Sequence, residues 1–462
     1  MSTPQTHESA DVIVVGLGVA GEAVAGALAE AGLDVVGIEA ELVGGECPYW
    51  GCIPSKMMIR AANLLAEARR IPGLAGSAVL TPDWAPVARR IREEATDDWD
   101  DTVAVERFTG KGGRFVRGRA RVLGPQEVEV PGVGTFTARR ALVLATGTAA
   151  SVPPIPGLAG TPYWTNRDAV KAEELPGSLA VIGAGAIGTE LGQAYARFGV
   201  RVTIIDAAAL PLALEEPEAG RLLADSLTAD HIELRLGTGI ASVTHDDDGF
   251  AVHLADGAVL RAERLLVAAG RRPTIDADTW QRLGLSGPPS TLPVDDRLRV
   301  SNGVWAVGDV TGHGAFTHIA TYQAEIATRS ILGEPGPAAD YHALPRVAFT
   351  DPEIGAVGLT EKQARDQGHS VVTGTALIPS TTRGWIHKAG NAGLIKLVAD
   401  SERDLLLGAT SAGPAGGEVL GALAVAVHAR VPLTELESMI YAYPTFHRGI
   451  QDALRDLRSR RP

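Results

Sequence analysis

The sequence predicts an α/β protein with two Rossmann-like dinucleotide-binding domains and a C-terminal α+β domain. Three observations predict this fold. A glycine motif between a buried strand and a helix occurs twice, and in both copies an acidic residue follows the first glycine by 23 positions. Beyond about residue 340 the chain changes to short strands and helices without such a motif. At 462 residues the chain is also too long for a single hydrophobic core.

The first copy begins with the buried-strand run DVIVV, which leads directly into GLGVAG, with glycines at Gly16, Gly18 and Gly21. An alanine-rich helical stretch follows, and a second apolar strand ends at Glu39. A single GxGxxG motif is weak evidence for a nucleotide site, because tight turns in any α/β sheet also use glycine. The strand, turn, helix and acid together make a stronger prediction.

The second copy repeats every part of this pattern. The strand run LAVI leads into GAGAIG, with glycines at Gly183, Gly185 and Gly188, and the next strand ends at Asp206. Glycines let the backbone approach a pyrophosphate, the helix N-terminus offers free N–H groups, and the acid accepts hydrogen bonds from a ribose. Two such units predict two dinucleotide sites.

The composition limits the classes of partner. A formal net charge of −13 argues against nucleic acid or an anionic membrane, since nothing offsets phosphate repulsion. The polar N-terminal segment lacks the pattern of a signal peptide, and no apolar run is long enough to span a bilayer. We therefore expect a cytoplasmic protein that binds neither membrane nor nucleic acid.

The only two cysteines of the chain, Cys47 and Cys52, have four residues between them in GGECPYWGCIPSK. They could form a structural clip, half of a metal site or a redox pair. A close pair in a cytosolic protein is more often catalytic or metal-binding than structural. A zinc site would need two more ligands at metal-binding spacing, and the sequence offers none. We therefore expect no metal.

Six motifs, in this order, carry a resemblance to a known family. They are the first GxGxxG with its acid, the GGxCx4CxPSK block, Ala145-Thr146-Gly147, the second GxGxxG, Gly308-Asp309 and Phe349-Thr350-Asp351-Pro352-Glu353. From about residue 10 onward the chain resembles the FAD-dependent pyridine nucleotide–disulfide oxidoreductases, the group of dihydrolipoamide dehydrogenase, glutathione reductase and mercuric reductase.

The resemblance implies a domain arrangement and a homodimer. It implies an FAD-binding domain over 11–150 and 275–335, an NAD(P)-binding domain over 151–274 and a dimerisation domain over 340–462, after a disordered N-terminus over 1–10. The active sites would take residues from both subunits.

The resemblance also implies the site residues. Glu39 would bind the adenosine ribose and Asp309 would lie near the ribityl chain, while Lys56 and Glu190 would pair beside the flavin. The FAD-binding candidates are Gly16, Gly18, Gly21, Glu39, Gly45, Lys56, Ala120, Thr146, Gly147, Asp309 and Thr317. The nicotinamide-nucleotide candidates are Gly183, Gly185, Gly188, Asp206 and Gly270.

By the same analogy Cys52 faces the flavin and Cys47 faces the acceptor, so the pair is redox-active. Electrons would pass from the nicotinamide through the flavin to the cysteines and then to a disulfide or another two-electron acceptor. Asp206 would accept from a free ribose 2′-hydroxyl and repel a 2′-phosphate, and the following three alanines offer no arginine. This favours NADH over NADPH.

The sequence departs from the family at the C-terminal active-site segment. Tyr443 occupies the position of the family's proton-donating histidine, and Arg448 that of the glutamate which orients it. Tyrosine is a poor proton shuttle at neutral pH. His447 could substitute, the acceptor could need no protonated leaving group, or disulfide reduction could simply be slow. Within this group, mercuric reductases also carry tyrosine at this position, but they end in a vicinal cysteine pair.

The acceptor therefore stays open. The alternatives are a metal-ion or quinone reductase of mercuric-reductase type, and a flavoprotein component of a larger assembly or redox sensor with little free turnover. Two further departures lie in the cysteine loop. Tyr49 occupies the family's asparagine position, with Pro48 and Trp50 making the loop bulkier and stiffer, and Glu46 places a carboxylate before the first cysteine.

Overall fold

The computed structural model describes residues 6–460, which form two compact units. The first unit comprises residues 6–54, 89–151 and 271–340, and the second comprises residues 55–88, 152–270 and 341–460. None of the helices in this described part of the chain is long and apolar enough to cross a membrane.

The strands are β1 (Thr6–Val15), β2 (Val35–Glu39), β3 (Arg114–Arg117), β4 (Arg121–Gly124), β5 (Glu127–Val130), β6 (Gly134–Leu144), β7 (Thr148–Ala150), β8 (Ser178–Ile182), β9 (Arg201–Asp206), β10 (Glu233–Leu236), β11 (Ile240–Asp246), β12 (Gly249–Leu254), β13 (Val259–Ala262), β14 (Arg264–Val267), β15 (Arg271–Pro273), β16 (Arg299–Ser301), β17 (Val304–Ala306), β18 (Pro345–Ala348), β19 (Glu353–Gly358), β20 (Val371–Leu377), β21 (Leu394–Asp400) and β22 (Leu405–Gly413).

The α-helices are α1 (Val19–Glu30), α2 (Glu46–Tyr49), α3 (Cys52–Arg69), α4 (Ala85–Arg90), α5 (Thr102–Gly110), α6 (Asn166–Lys171), α7 (Ala186–Arg197), α8 (Pro217–Ala229), α9 (Ala277–Arg282), α10 (Thr317–Leu332), α11 (Glu361–Asp366), α12 (Thr382–His387), α13 (Gly416–His428), α14 (Leu433–Ser438) and α15 (Gly449–Ser459).

The main sheet of the first unit has the strand order β16-β17-β6-β1-β2-β3, with the β4–β5 hairpin attached to β6. Strand β1 runs parallel to β2 and to β6. Val12 and Val14 pack into one hydrophobic cluster, while Ile13 and Val15 pack into another. Both faces of the sheet are therefore buried, which explains the continuous apolar run of the first predicted strand.

The start of the chain corrects one expectation. Residues 1–10 were expected to be disordered, but residues 6–10 form the first half of β1, where they pair with residues 134–138 of β6. A ladder of backbone hydrogen bonds thus orders a polar segment that has no hydrophobic pattern of its own. Residues 1–5 lie outside the described part of the chain.

The second unit contains a parallel sheet and two antiparallel sheets. The parallel sheet has the order β10-β9-β8-β14, the three-stranded sheet β11-β12-β13, and the C-terminal sheet β18-β19-β22-β21-β20. Helices α13 and α15 share a buried apolar core with the C-terminal sheet. This mixed α/β architecture, with a parallel sheet behind each glycine motif, confirms the predicted fold class.

The division into units differs from the expected domains in several places. Residues 271–274 belong to the first unit, and the segments expected to form the NAD(P)-binding and dimerisation domains belong to a single second unit. Residues 55–88 were expected within the first domain but belong to the second unit. Side chains of α3 explain this, because Asn63 Oδ1 accepts a hydrogen bond from Arg197 Nη1 at 2.6 Å and Arg69 donates to the Arg197 carbonyl at 2.7 Å. Beyond α3, the ring of Trp84 stacks on that of Tyr195 with centroids 5.5 Å apart.

Candidate active site

The two glycine motifs have the same backbone geometry. Gly16 has a φ of +90° and Gly183 a φ of +111°, a region that side-chain-bearing residues rarely adopt. A Cβ at Gly21 would overlap the Gly16 carbonyl oxygen, and a Cβ at Gly188 would overlap that of Gly183. The first and third glycines are therefore required for the tight turn and for close packing of the helix on it.

The two acidic residues also make matching contacts. Glu39 accepts hydrogen bonds from the N–H groups of Leu17 and Glu41, both at 2.7 Å. In the other copy, Asp206 accepts from the N–H groups of Ala184 at 2.6 Å and Ala208 at 2.7 Å. Each carboxylate is thus fixed at a strand tip beside the glycine turn, where a ribose hydroxyl would be recognised.

The helices that follow the turns start without a side-chain cap. Gly18 is the N-cap of α1 and Gly185 the N-cap of α7, and neither helix start receives a capping hydrogen bond from a side chain in the described chain. A Cβ at Gly185 would meet no atom within 4 Å. The first N–H groups of both helices are therefore available to an anion such as a pyrophosphate.

The end of β6 fits a bound flavin nucleotide. Thr146 Oγ1 is buried and has no hydrogen-bond partner among residues 6–460, and buried hydroxyls are normally satisfied. Gly147 next to it has a φ of +68°, and a Cβ there would meet nothing within 4 Å. A buried polar atom beside open space at the end of this sheet is consistent with FAD. Ala120 lies earlier in the chain, between β3 and β4, and packs against the core.

Asp309 belongs to a charged group that sequence reasoning missed. Its carboxylate accepts a hydrogen bond from Thr148 Oγ1 at 2.8 Å and lies 3.9 Å from Arg271 Nε. Burial raises the pKa of Asp309, whereas the Thr148 hydroxyl and Arg271 act to lower it. Arg271 Nη2 is also 3.5 Å from Glu46 Oε2. The extra carboxylate before Cys47 is therefore compensated by an arginine.

The cysteine segment lies against the first glycine motif. Gly45, the N-cap of α2, has a φ of +68°, and a Cβ on it would lie 2.8 Å from Gly18 Cα. Cys47 is the second residue of α2 and Cys52 the first of α3, and both are half-buried. Cys52 Sγ is 3.3 Å from the hydroxyl oxygen of Thr317, the first residue of α10.

Lys56 and Glu190 form the ion pair that the resemblance implies. Lys56 Nζ donates to Glu190 Oε2 at 2.7 Å, and the Glu190 side chain is almost fully buried. Glu190 Oε1 accepts a hydrogen bond from the Phe349 N–H at 2.8 Å, and Lys56 Nζ lies 4.6 Å from the centroid of the Phe349 ring. Phe349 was part of a recognised motif, but its role as a platform for Lys56 was not foreseen.

The C-terminal segment exposes the residue at the family's histidine position. Tyr443 is 64% exposed, and the guanidinium of Arg448 lies 5.2 Å from the centroid of its ring. His447 packs instead against Tyr441, with ring centroids 6.3 Å apart. The side chain stacked on Tyr443 is thus the arginine that replaces the family's glutamate.

The structure divides the candidate residues between the two units. The first unit holds Gly16, Gly18, Gly21, Glu39, Gly45, Cys47, Cys52, Ala120, Thr146, Gly147, Asp309 and Thr317, and the second holds Lys56, Gly183, Gly185, Gly188, Glu190, Asp206, Gly270 and Tyr443. Gly270 follows β14 with a φ of +102° and open space around it. In residues 6–460, no group of three or more His, Cys, Asp or Glu side chains could bind a metal ion.

Comparison with known proteins covers nearly the whole chain. The family model described as "Pyridine nucleotide-disulphide oxidoreductase" matches residues 10–324, and the model of that family's dimerisation domain matches residues 344–454. A dihydrolipoyl dehydrogenase of Halobacterium salinarum is 33% identical over 463 residues, which cover 96% of this chain and 95% of the relative.

Two further similarities concern reductases. A mercuric reductase of Bacillus cereus is 32% identical over 453 residues, covering 96% of this chain and 71% of the relative. The solved structure of the "Cu(II) complex of HOCl-induced flavoprotein disulfide reductase RclA from Escherichia coli" matches with a TM-score of 0.84 and 26% identity, covering 97% of this chain and 99% of the other.

Proposed function

Because the chain belongs to the pyridine nucleotide-disulphide oxidoreductase family, we propose that Cys47 and Cys52 are the redox-active pair of this enzyme. The enzyme is an NAD(P)H-dependent flavoprotein disulfide oxidoreductase. In this proposal FAD occupies the first glycine motif, the nicotinamide nucleotide occupies the second, and the acceptor is a disulfide or another two-electron acceptor.

One observation carries the role of the cysteines. Gly45 approaches Gly18 so closely that a Cβ would lie 2.8 Å from the Gly18 Cα, and Cys47 follows two residues later. The loop with the two thiols therefore starts at the turn that would hold the flavin nucleotide. A structural clip would have no need for this placement.

The residues of the chain divide the chemistry between them. When bound, FAD takes two electrons from the reduced nicotinamide and makes them available to a neighbouring disulfide. Thr317 Oγ1, 3.3 Å from Cys52 Sγ, is positioned to donate to a thiolate there. The Cys47 thiolate attacks the acceptor disulfide and releases one thiol, and Cys52 then attacks Cys47 to re-form the pair and release the second. One acceptor disulfide, two protons and the two electrons given up by the cysteine pair thereby become two thiols, while Cys47 and Cys52 return to a disulfide.

We propose NADH as the preferred reductant. The Asp206 carboxylate is fixed by two backbone N–H groups and would lie beside a 2′-phosphate, which it repels. On the neighbouring strand β10, Leu236 is the register partner of Asp206, and Arg235 before it is paired with Glu233 at 2.6 Å. That arginine is therefore already neutralised by a carboxylate and is a poor partner for a phosphate.

A second candidate acceptor class is a thiophilic metal ion. The observation in its favour is the exposed Tyr443 under Arg448, which offers no imidazole to protonate a leaving thiolate. A metal ion reduced at the thiol pair needs no such proton. The similarity to a mercuric reductase and to a flavoprotein reductase solved with Cu(II) supports testing this class alongside disulfides. A quinone acceptor, and a role as a component of a larger assembly or as a redox sensor, are the remaining alternatives.

The matched dimerisation domain indicates a homodimer. We propose that Tyr443 of each subunit contributes to the active site of the other, as its exposure within one chain suggests. The net charge of −13 supports the absence of nucleic-acid and anionic-membrane partners.

Anaerobic titration of the FAD-loaded protein with NADH tests the proposal. After two electrons, alkylation should count two new thiols per chain, and a long-wavelength absorption band should appear that is missing in Cys52→Ser. Direct bleaching of the flavin with no new thiols would refute the redox role of the pair. Turnover is then measured with small disulfides, Cu(II), Hg(II) and quinones, and catalytic silence with all of them would favour the sensor or component alternative.

A further inference from the structure

A short turn in the first unit has an unusual backbone. Three consecutive residues other than glycine, Asp97, Asp98 and Trp99, have left-handed φ values of 48°, 53° and 59°. Such residues are uncommon, and a run of them persists only where the surrounding contacts determine the conformation. The contacts that fix the Asp97–Trp99 turn therefore indicate its role.

The contacts of the turn lead to the loop between the two cysteines. The Trp99 ring stacks on that of Trp50, with centroids 5.7 Å apart and planes 21° from parallel. Trp99 Nε1 donates to the Tyr49 carbonyl at 3.3 Å, and the Tyr49 hydroxyl reaches the Asp100 carbonyl at 3.5 Å. Tyr49 and Trp50 are the bulky residues by which this loop departs from the family pattern.

Both ends of the turn are anchored in the same unit. On one side, the buried Thr96 hydroxyl donates to the Ile91 carbonyl at 3.0 Å. On the other, the buried Asp101 carboxylate accepts from the Val43 N–H at 2.7 Å and pairs with Arg117 at 2.5 Å. Val43 lies four residues before Cys47, so Asp101 also fixes the chain that enters the cysteine segment.

The loop itself is compact. A Cβ at Gly51 would lie 3.2 Å from the Glu46 carbonyl oxygen and 3.8 Å from Cys47 Cα. The end of the loop thus returns to its beginning, which brings the backbone of the two cysteine-bearing helices together. Trp50, the residue before Gly51, is the one that Trp99 covers.

We propose that Trp99 is a positioning residue for the thiol pair: stacked on Trp50, it holds the loop in the geometry that bridges Cys47 and Cys52. This inference rests on the proposed function of the cysteines. A loop held ready for closure loses less freedom when the S–S bond forms, which raises the effective concentration of one thiol at the other. The Trp50–Trp99 stack therefore stabilises the disulfide relative to the dithiol.

The test is the redox equilibrium of the FAD-loaded protein with dithiothreitol, read by quenched alkylation and mass spectrometry. In each event the protein S–S bond breaks, that of oxidised dithiothreitol forms, and two electrons and two protons pass to the cysteines. For Trp99→Ala we expect the equilibrium constant for reduction to rise roughly three- to tenfold. A tenfold change corresponds to about 30 mV for this two-electron couple.

Matched variants separate positioning from general damage. Trp99→Phe retains a stacking ring and should stay within about twofold of the wild type, while Asp98→Gly accepts the left-handed backbone and should change nothing. Trp50→Ala should reproduce Trp99→Ala, and the double variant should be no further shifted, because both remove the same stack.

Two results would overturn the inference in different ways. If the wild-type pair shows no reducible disulfide at any ratio of reductant, the proposed function fails and the inference fails with it. If dithiothreitol reduces the wild-type disulfide but Trp99→Ala and Trp50→Ala have the same equilibrium constant as the wild type, only the positioning role is wrong. The same conclusion follows if the effects of the two substitutions add in the double variant.

Discussion

The carboxylate of Glu190 holds the ammonium of Lys56 and the backbone of Phe349 at the same time, with distances of 2.7 Å and 2.8 Å from its two oxygens. The Phe349 ring lies 4.6 Å from the same ammonium. The position of this cation is therefore determined from two sides. On α3, Lys56 follows Cys52 by four residues in the sequence, and the proposed function gives its charge a role in the reaction.

We expect Lys56→Met to lower the rate of NADH oxidation on the order of 100-fold, because a fixed cation that stabilises developing negative charge is lost. Glu190→Gln should have a smaller effect, since an amide oxygen still accepts from Phe349 but no longer attracts the ammonium. Stopped-flow absorbance with excess NADH measures both rates.

The control for this prediction is Arg60→Met, which removes an exposed cation from the same helix. Its rate should stay within about twofold of the wild type, as surface substitutions usually do. An equal loss in Arg60→Met and Lys56→Met would mean that the overall charge of α3 matters rather than the pair with Glu190.

Asp206 and Glu39 provide a matched test of nucleotide choice, because each carboxylate accepts two backbone N–H groups beside its own glycine turn. We expect kcat/KM to favour NADH over NADPH at least tenfold, since like charges placed side by side are strongly disfavoured. Asp206→Asn should narrow that ratio by improving turnover with NADPH.

Glu39→Gln should leave the NADH-to-NADPH ratio unchanged and instead weaken the retention of FAD, which is measured by the bound flavin after gel filtration. The same change in the ratio from both substitutions would contradict the assignment of one nucleotide to each motif. A wild-type preference for NADPH would refute the role of Asp206.

The parts of the site that were predictable have local sequence signatures. Gly16 and Gly183 begin motifs in which the turn, the helix start and the acid all follow within one short segment, so their geometry is encoded locally. The spacing of Cys47 and Cys52 is a local signature as well, and so is the position of Lys56 on α3, the helix that begins at Cys52. The mixed α/β fold follows from these repeats.

The parts that were missed depend on residues far apart in the chain. Arg271 pairs with Glu46 across 225 positions, and no spacing rule connects them. Arg197 on α7, 1% exposed, pairs with Asp351, a contact that only tertiary packing creates. The left-handed backbone of Trp99 has no glycine or asparagine to announce it. Burial and long-range pairing decided these positions.

The ion pair of Arg271 and Glu46 offers a prediction in which substitutions of its two members change the alkylation rate of Cys47 in opposite directions. Glu46→Gln removes a carboxylate beside Cys47 and leaves Arg271 in excess, so we expect the Cys47 thiolate to be favoured and its alkylation at pH 7 to become a few-fold faster. Arg271→Gln leaves Glu46 and Asp309 without their cation, so alkylation should slow. Pulsed alkylation of the reduced protein with mass spectrometry measures both.

The same substitution acts on Asp309. Burial raises the pKa of this carboxyl and Arg271 lowers it, so Arg271→Gln should raise that pKa further. Weaker FAD retention in Arg271→Gln than in Glu46→Gln would follow if Asp309 contacts the cofactor. If Glu46→Gln and Arg271→Gln changed the alkylation rate of Cys47 in the same direction, the pair would act by packing rather than by charge.

Lys396 is the centre of a buried charge cluster in the second unit. Its ammonium lies 2.9 Å from Glu216, 3.1 Å from Glu218 and 2.9 Å from Glu361, and the Lys396 and Glu216 side chains are almost fully buried. Burial lowers the pKa of Lys396, but the carboxylates outweigh it and the pKa lies above its ordinary value. The lysine therefore stays charged, and each carboxylate depends on it.

We expect Lys396→Met to lower the free energy of unfolding at pH 7 by about 3–5 kcal/mol, because it leaves buried carboxylates without their cation.

Burial raises the pKa of Glu361, but Lys396 and Arg365 lower it by more, so the folded-state pKa lies below the unfolded value of 4.5. The ionised Glu361 therefore stabilises the folded state through Lys396 and Arg365. This stabilisation is complete above pH 4.5 and is lost as the pH falls through the folded-state pKa. In Lys396→Met only Arg365 still lowers the pKa of Glu361, so the depression is reduced and the stability deficit relative to wild type should shrink between pH 7 and pH 4. Urea unfolding at both pH values measures this, and Lys362→Met, which removes an exposed lysine paired with Asp366, should cost no more than about 0.5 kcal/mol at either. A deficit independent of pH would show that Lys396 contributes through packing of its side chain alone.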